Sequence, residues 1–324
     1  MKKSKKKNEL YGKIVKEYMA KDEETKKIKF GDIVTEFIYF KKLVVKQSTL
    51  SNYKYNIKHR LATTFSNITL KELETYDYNK FSAELSKTLS QKTIRDTMIL
   101  LKSILQFINE KYGTSIKMKL ITLPKASRKK IQIFNNSERK KLENFLINTN
   151  DIKYLGMLIS LYEGLRIGEV CSLKWKNINL KEKTIAVEKT IQRMYIGDNK
   201  TGIIIDTPKT ISSNRVIPIG NTLLERLRYF KKNFNDEDFV ITGSKNKVIE
   251  PSTYRNEYKK LLEKLEIDYK HYHTLRHTFA TRCIQIGMDA KSLSEILGHS
   301  NVTTTLGIYV HSSFETKKKF LNKL

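Results

Sequence analysis

The sequence predicts a mainly α-helical chain of two domains, the second carrying a small antiparallel β-sheet, and three observations support this. The chain has 324 residues, more than one hydrophobic core usually organises. From Phe30 to about Tyr112 the apolar spacing is almost wholly helical and free of proline. Beyond the Pro-containing basic stretch "LPKASRKKIQ", the pattern becomes a mixture of helical segments and strand-like runs.

Residues 1–29 read as a basic extension that opens with a lysine tract, with a short helix expected over 9–20, where Leu10, Ile14 and Tyr18 share one side. The first domain, 30–122, is expected to hold helices near 30–44, 49–61, 77–86 and 91–112, parted by polar turns such as "KQSTL" and "TLSQKT". Ser48 and Ser90 read as N-caps. The helix N-termini they would open, with Lys46, Thr49 and Lys54 at one and Lys92, Thr93 and Arg95 at the other, are candidate phosphate sites. Ordinary capping beside solvated lysines accounts for the same residues.

Residues 123–132 read as a linker, leaving 133–324 as the second domain. Helices are expected there at 137–148, 151–163 and 167–174, followed by the strand-like runs "KTIAVEK", "GIIIDT" and "RVIPIG". From Thr222 onward the pattern is helical again, interrupted only by "DFVITG". Along "HTLRHTFATRC", Leu275, Phe279, Cys283 and Ile286 form an apolar stripe, while His273, Arg276 and His277 gather on the far side around the small Ala280, facing water or a ligand.

Lys and Arg number 62 against 34 acidic residues, a formal charge of +28. Residues 1–125 carry 27 basic and 13 acidic side chains and the remainder 35 and 21, so each half contributes +14. Two basic halves fit a clamp around a polyanion, where each neutralised phosphate releases counterions. No run approaches the ~18 apolar residues of a membrane span, and no signal-peptide core follows the lysines, so a soluble, cytoplasmic protein is expected. Cys171 and Cys283 are too few for a disulfide framework.

Five places carry candidate chemistry. "EGLRIGEVCSLKW" sets Arg166 at the start of a helix with Glu169 three residues on, and "TPKTISSNRVIPI" sets Lys209 in a turn between strands. "HTLRH" places His273 and Arg276 on one helix face, and "LGHSNVTTTLGIYVH" supplies His299 and, ten residues later, Tyr309. Singly, each has an ordinary explanation: a helix salt bridge, a solvated turn lysine, a packed tyrosine. The i,i+4 pair His273 and His277 shares the spacing of a zinc helix, but Thr274 stands where a metalloprotease carries its glutamate and Arg276 would set a cation beside the metal, so no metal site is assigned.

Taken together, the order Arg166, Lys209, His273-x-x-Arg276, His299, Tyr309 resembles the tyrosine recombinase (phage integrase) family, with "EGLRIGEV" and an intact "LGH" box in the matching contexts. The resemblance implies a helical SAM-like core-binding domain followed by the tyrosine-recombinase catalytic domain. Only about 29 residues precede the first helical block, unlike integrases with a separate arm-type domain, which implies a plan closer to the Xer recombinases and short integrases.

The implied reaction is transesterification of DNA. Tyr309 would be the nucleophile of a 3′-phosphotyrosyl link, and His273 the group that takes its proton or binds the phosphate. Arg166 and Arg276 would present charged forks to the non-bridging oxygens, His299 a further hydrogen bond, and Lys209 the proton for the leaving 5′-oxygen. Glu169 and His277 are expected to orient their neighbours rather than to react. No cofactor, metal or ATP is called for. The expected partner is double-stranded DNA at specific sites, bound by four copies on synapsed duplexes, with the free protein monomeric or weakly associated. The leading function is integration or excision of a mobile element. Xer-type chromosome-dimer resolution, a type IB topoisomerase-like nicking and closing activity and a silent DNA-binding regulator are the alternatives. Phe320, Leu321 and Leu324 form a small apolar face after Tyr309, expected to dock in cis or on a neighbouring protomer.

Overall fold

The computed structural model describes residues 27–125, 131–197, 200–206, 214–309 and 322. The extension helix expected over 9–20, Lys209 and the tail face of Phe320, Leu321 and Leu324 lie outside these residues. The chain divides into two compact units, Met1–Lys129 with Met194–Thr201, and Lys130–Arg193 with Gly202–Leu324.

The first unit is a helical bundle: α1 (Phe30–Val44), α2 (Gln47–Asn56), α3 (Ala62–Phe65), α4 (Leu70–Thr75), α5 (Tyr78–Leu85) and α6 (Gln91–Tyr112). Its core is built where the apolar period predicts, with Ile33 and Phe37 of α1 and Met98, Leu101, Ile104, Leu105 and Ile108 of α6 wholly enclosed. The expected helix 49–61 starts earlier and runs further. Its N-cap is Lys46, whose carbonyl accepts from Thr49 N and Leu50 N, so Ser48 sits within the first turn and is not the cap. After Asn56 a π turn, Ile57–Leu61, carries the chain into α3. The unexpected α4 is held by a capping box in which Thr69 and Glu72 satisfy each other's backbone N–H, a signal present in "TLKE". Ser90 does cap α6, accepting from Thr93 N at 3.3 Å.

The second unit holds a larger core, built from α7 (Asn136–Asn148), α8 (Leu155–Glu163), α9 (Ile167–Ser172), α10 (Asn221–Lys231), α11 (Pro251–Lys264) and the start of α12 (His273–Gln285), and a smaller one between the rest of α12, α13 (Ala290–Leu297) and α14 (Val302–Tyr309). Strands β1 (Ile178–Asn179), β2 (Thr184–Val187) and β5 (Arg215–Pro218) form an antiparallel sheet in the order β1-β2-β5, with Ile185 opposite Ile217 and both buried. β3 (Thr190–Gly197) and β4 (Lys200–Asp206) form a separate two-stranded hairpin. The runs "GIIIDT" and "RVIPIG" therefore belong to different sheets. β3 escapes a sequence reading because Gln192 and Arg193 interrupt its apolar residues, although Ile191 and Met194 are buried. "DFVITG" forms a turn in which Phe239 makes isolated bridges to Lys174 and Ser244, since Phe239, Val240 and Ile241 are needed in the core one after another.

Among the described residues no helix is long and apolar enough to cross a membrane, and no three His, Cys, Asp or Glu side chains gather as metal ligands.

Candidate active site

The site is built in the second unit on the ends of two helices. α8 ends at Gly164 and α13 at Gly298, both in the left-handed conformation that a residue without Cβ reaches at no steric cost (φ 69° and 63°). A helix C-terminus exposes carbonyls that lack intrahelical partners and carries the negative end of the helix dipole. Here those carbonyls are taken by arginines. Arg276 donates from Nη1 to Gly164 O at 2.8 Å and from Nη2 to Leu297 O at 2.7 Å. Arg166 donates to Gly298 O at 3.2 Å, and Arg215 Nε to Ile296 O at 2.6 Å.

Glu169 is the anionic hub of this cluster. Its carboxylate accepts from the Arg166 backbone N–H at 2.9 Å, the Arg166 guanidinium at 2.8 Å and the Arg215 guanidinium at 3.1 and 3.2 Å. Burial alone would raise its pKa, but the charge and hydrogen bonds of Arg215 and Arg166 overcome this and hold it down at about 2. Arg166 keeps a side chain 35% exposed, whereas Arg276 is only 1% exposed. Sequence reading expects Arg276 on a face open to water or ligand. It is enclosed instead, because two helix-end carbonyls compensate its charge. Burial and the nearby Arg166 press its pKa downward, yet a guanidinium starting above ~12 stays charged. The apolar stripe of α12 also ends early: Ile286 is 81% exposed, because the helix stops at Gln285 and the chain turns away through Gly287.

A cavity of about 890 Å³ opens beside this cluster, lined by Arg166, Glu169, His273, His299 and, among residues the sequence did not single out, Arg255 and His271. His299 Nδ1 bonds Thr305 Oγ1 at 2.8 Å, making Nε2 the nitrogen available to an anion. His273 keeps an exposed face in the cavity, but partial desolvation and then the positive charge of its neighbours lower its pKa, as burial and Arg276 do for His299. Such a site is neutral-histidine and permanently cationic through arginine.

Tyr309, the last described residue of α14, packs its ring with Ala280, Cys283, Leu293 and Leu297 and is 7% exposed. Its hydroxyl lies 2.7 Å from His277 Nδ1. Burial raises the phenol pKa while Arg276 and Arg166 pull against it. The structure thus brings together Arg166, Glu169, His273, Arg276, His277, His299 and Tyr309. The residue sequence reading overlooked is Arg215, the second cation on Glu169, whose only signal was an arginine opening a short strand.

In the first unit, Lys46, Lys54 and Lys92 are exposed. Arg95 donates to Pro124 O at 2.8 Å, and Ser48 Oγ is buried without a partner among the described residues.

Residues 132–316 match the phage integrase family, and residues 29–86 its N-terminal SAM-like domain. The chain belongs to the phage integrase family. It is a site-specific recombinase of the tyrosine class. This family member is 28% identical over 347 residues to a tyrosine recombinase XerC-like protein of Caldanaerobacter subterraneus subsp. tengcongensis, covering 94% of this chain and 87% of the relative. It is 25% identical over 333 residues to the integrase of Staphylococcus phage L54a, covering 93% and 94%. Its fold matches that of a Tn1549 transposon integrase fragment solved with a circular intermediate DNA, with a TM-score of 0.75 and 21% identity, over 92% of this chain and 100% of the other.

Proposed function

We propose that the protein inserts or excises a mobile DNA element, cutting and rejoining strands through a 3′-phosphotyrosyl link on Tyr309. The observation that supports this most is a cavity flanked by arginine forks and two histidines, with the Tyr309 hydroxyl inside the reach of the charges of Arg276 and Arg166. A phosphodiester in the cavity would meet Arg166 at its non-bridging oxygens, helped by His273 and His299, while the enclosed Arg276 adds its charge to the site and would reach the phosphate only by giving up a helix-end carbonyl. Tyr309 Oη then bonds to phosphorus as the bond to the 5′-oxygen breaks, and Lys209 supplies the proton that oxygen needs. Attack by a 5′-hydroxyl from a second duplex reverses these steps, so the phosphodiester count is conserved and neither ATP nor a metal is called for.

Four strands are cut in exchanging two duplexes, so four nucleophiles are needed, and the proposed assembly is a homo-tetramer on synapsed DNA formed from free monomers in the cytoplasm. Lys46, Thr49, Lys54, Lys92, Thr93 and Arg95 are the proposed DNA contacts of the first unit; Ser48, whose hydroxyl is buried, is left out of the set. A second reading, chromosome-dimer resolution, is favoured by the XerC-like relative.

The test incubates the protein with duplexes taken from the DNA flanking its gene, and their circularised junction, in chelator and without ATP. Recombinant products are expected. Exchange confined to a chromosomal site unlinked to any element would favour dimer resolution, and binding without strand cleavage would favour a silent regulator.

A further inference from the structure

Two histidines lie one turn apart on α12, and the structure gives them different surroundings. His273 lines the cavity, where a phosphate would sit. His277 turns its Nδ1 to the Tyr309 hydroxyl at 2.7 Å. Their rings meet edge to face, with centroids 4.5 Å apart and planes at 88°. The reacting oxygen of Tyr309 is thus bonded to the histidine that follows Arg276 in sequence, and the cavity histidine is left to the phosphate.

We infer that His277 is the proton acceptor for Tyr309: the Tyr309 O–H donates to Nδ1, and the proton crosses this bond as Oη attacks phosphorus. The step balances without any outside reagent. The Oη–H bond breaks and Nδ1–H forms, the Oη–P bond forms and the P–O5′ bond breaks, and the 5′-oxygen takes its proton from the proposed acid, Lys209. His277, neutral and protonated on Nε2 at the start, becomes imidazolium beside a phosphate that gains from the charge, and returns the proton to Oη when a 5′-hydroxyl attacks the link.

The surroundings suit this task. Tyr309 is held by its ring in the cluster of Ala280, Cys283, Leu293 and Leu297, which keeps its hydroxyl oxygen beside His277 Nδ1. Ala280 lies one turn beyond Arg276 on α12 and 0% exposed, where a larger side chain would displace the ring. Burial and then Arg276 hold the His277 pKa below its ordinary 6.5, so the imidazole is neutral and able to accept at physiological pH. The groups facing this pair are Arg276 and His273 on the same helix, Arg166 from the start of α9 and His299 from the turn before α14. All are cations or neutral histidines; burial still keeps the phenol protonated at rest, and Arg276 and Arg166 offset part of that cost, so the proton needs an acceptor as Oη attacks.

The inference rests on Tyr309 being the nucleophile. Its test uses the full-length protein and a nicked duplex captured from a randomised pool as its covalent adduct with the wild type. Adduct formation is timed between pH 5 and 9 for the wild type, His277→Asn, His277→Ala and Tyr309→Phe, with duplex affinity measured in parallel. The expected wild-type rate rises with pH and levels off once His277 is neutral. His277→Asn, which keeps a polar group near Nδ1 but cannot take a proton, should bind the duplex normally, react about 100-fold slower and keep rising with pH without levelling. Added imidazole should accelerate His277→Ala and leave His277→Asn unmoved. A wild-type rate in either variant, an unchanged pH profile at a reduced rate, or loss of duplex affinity in step with rate would make His277 structural and overturn the inference. An adduct of normal yield from Tyr309→Phe would instead overturn the nucleophile reading, an outcome the His277 variants cannot mimic.

Discussion

Replacing Glu169 by Gln keeps the shape of the side chain and removes the charge on which two arginines converge. Glu169 and Arg215 are 3% and 7% exposed, so little water is present to take over the lost interaction. A carboxyl that titrates at about 2 in the folded chain and at its ordinary 4.5 when unfolded contributes about 3 kcal/mol of stability at neutral pH. That magnitude agrees with the ~3–5 kcal/mol lost when one partner of a buried ion pair is removed. Because the folded pKa is the lower one, the contribution is complete above pH 4.5 and is lost as pH falls toward 2. Urea denaturation of the full chain, followed by the fluorescence of Trp175, reports on this unit, since Trp175 is the single tryptophan and lies in its core. Glu169→Gln should be about 3 kcal/mol less stable than wild type at pH 7, and the difference should shrink to less than half of that by pH 3. A difference that does not change with pH, or one below about 1 kcal/mol at pH 7, would refute the reasoning that the carboxylate charge holds the cluster together.

Further outcomes concern the cluster, a left-handed glycine remote from it, and Lys209. Arg215→Ala, which removes a residue that does not line the cavity, should leave duplex affinity nearly intact and cut the rate of adduct formation about 10-fold by loosening Glu169 and, through it, Arg166. Gly298→Ala places a Cβ 2.9 Å from Arg215 Nη1 at φ +63°, and should cost about 1–2 kcal/mol in a thermal melt and lower adduct yield. Gly113→Ala, at φ +68° with nothing within 4 Å, should show the strain without the loss of yield. If Lys209 is the general acid, Lys209→Ala should recover strongly on a substrate whose 5′-bridging oxygen is sulfur, and Arg276→Ala should not; equal rescue of both would reduce Lys209 to a phosphate ligand.

Much of the fold was legible because its signals are local. α1 and α6 follow from apolar period, and the start of α6 also from a Ser90 cap that the structure retains. The starting point of α2 was not legible, since Lys46 caps it through the backbone alone. Strand pairing was illegible for a different reason: β4 and β5 are close in sequence, but their partners, β3 and β2, are fixed by which apolar residues reach the core. In the site, residue types and order were readable, whereas surroundings were not. Nothing in "HTLRH" tells that Arg276 is buried against two helix-end carbonyls, that His277 and not His273 meets the Tyr309 hydroxyl, or that Arg215 joins the cluster from a strand, because each depends on contacts between residues far apart in the chain.

The most direct test of the proposed chemistry is to trap the covalent complex with a nicked duplex, digest it, and map the DNA-linked peptide by mass spectrometry in the presence of chelator. The expected result is a 3′-phosphate carried on Tyr309, absent from Tyr309→Phe and unaffected by EDTA. A link to any other residue, or strand cleavage that proceeds with no protein-linked phosphate, would contradict it.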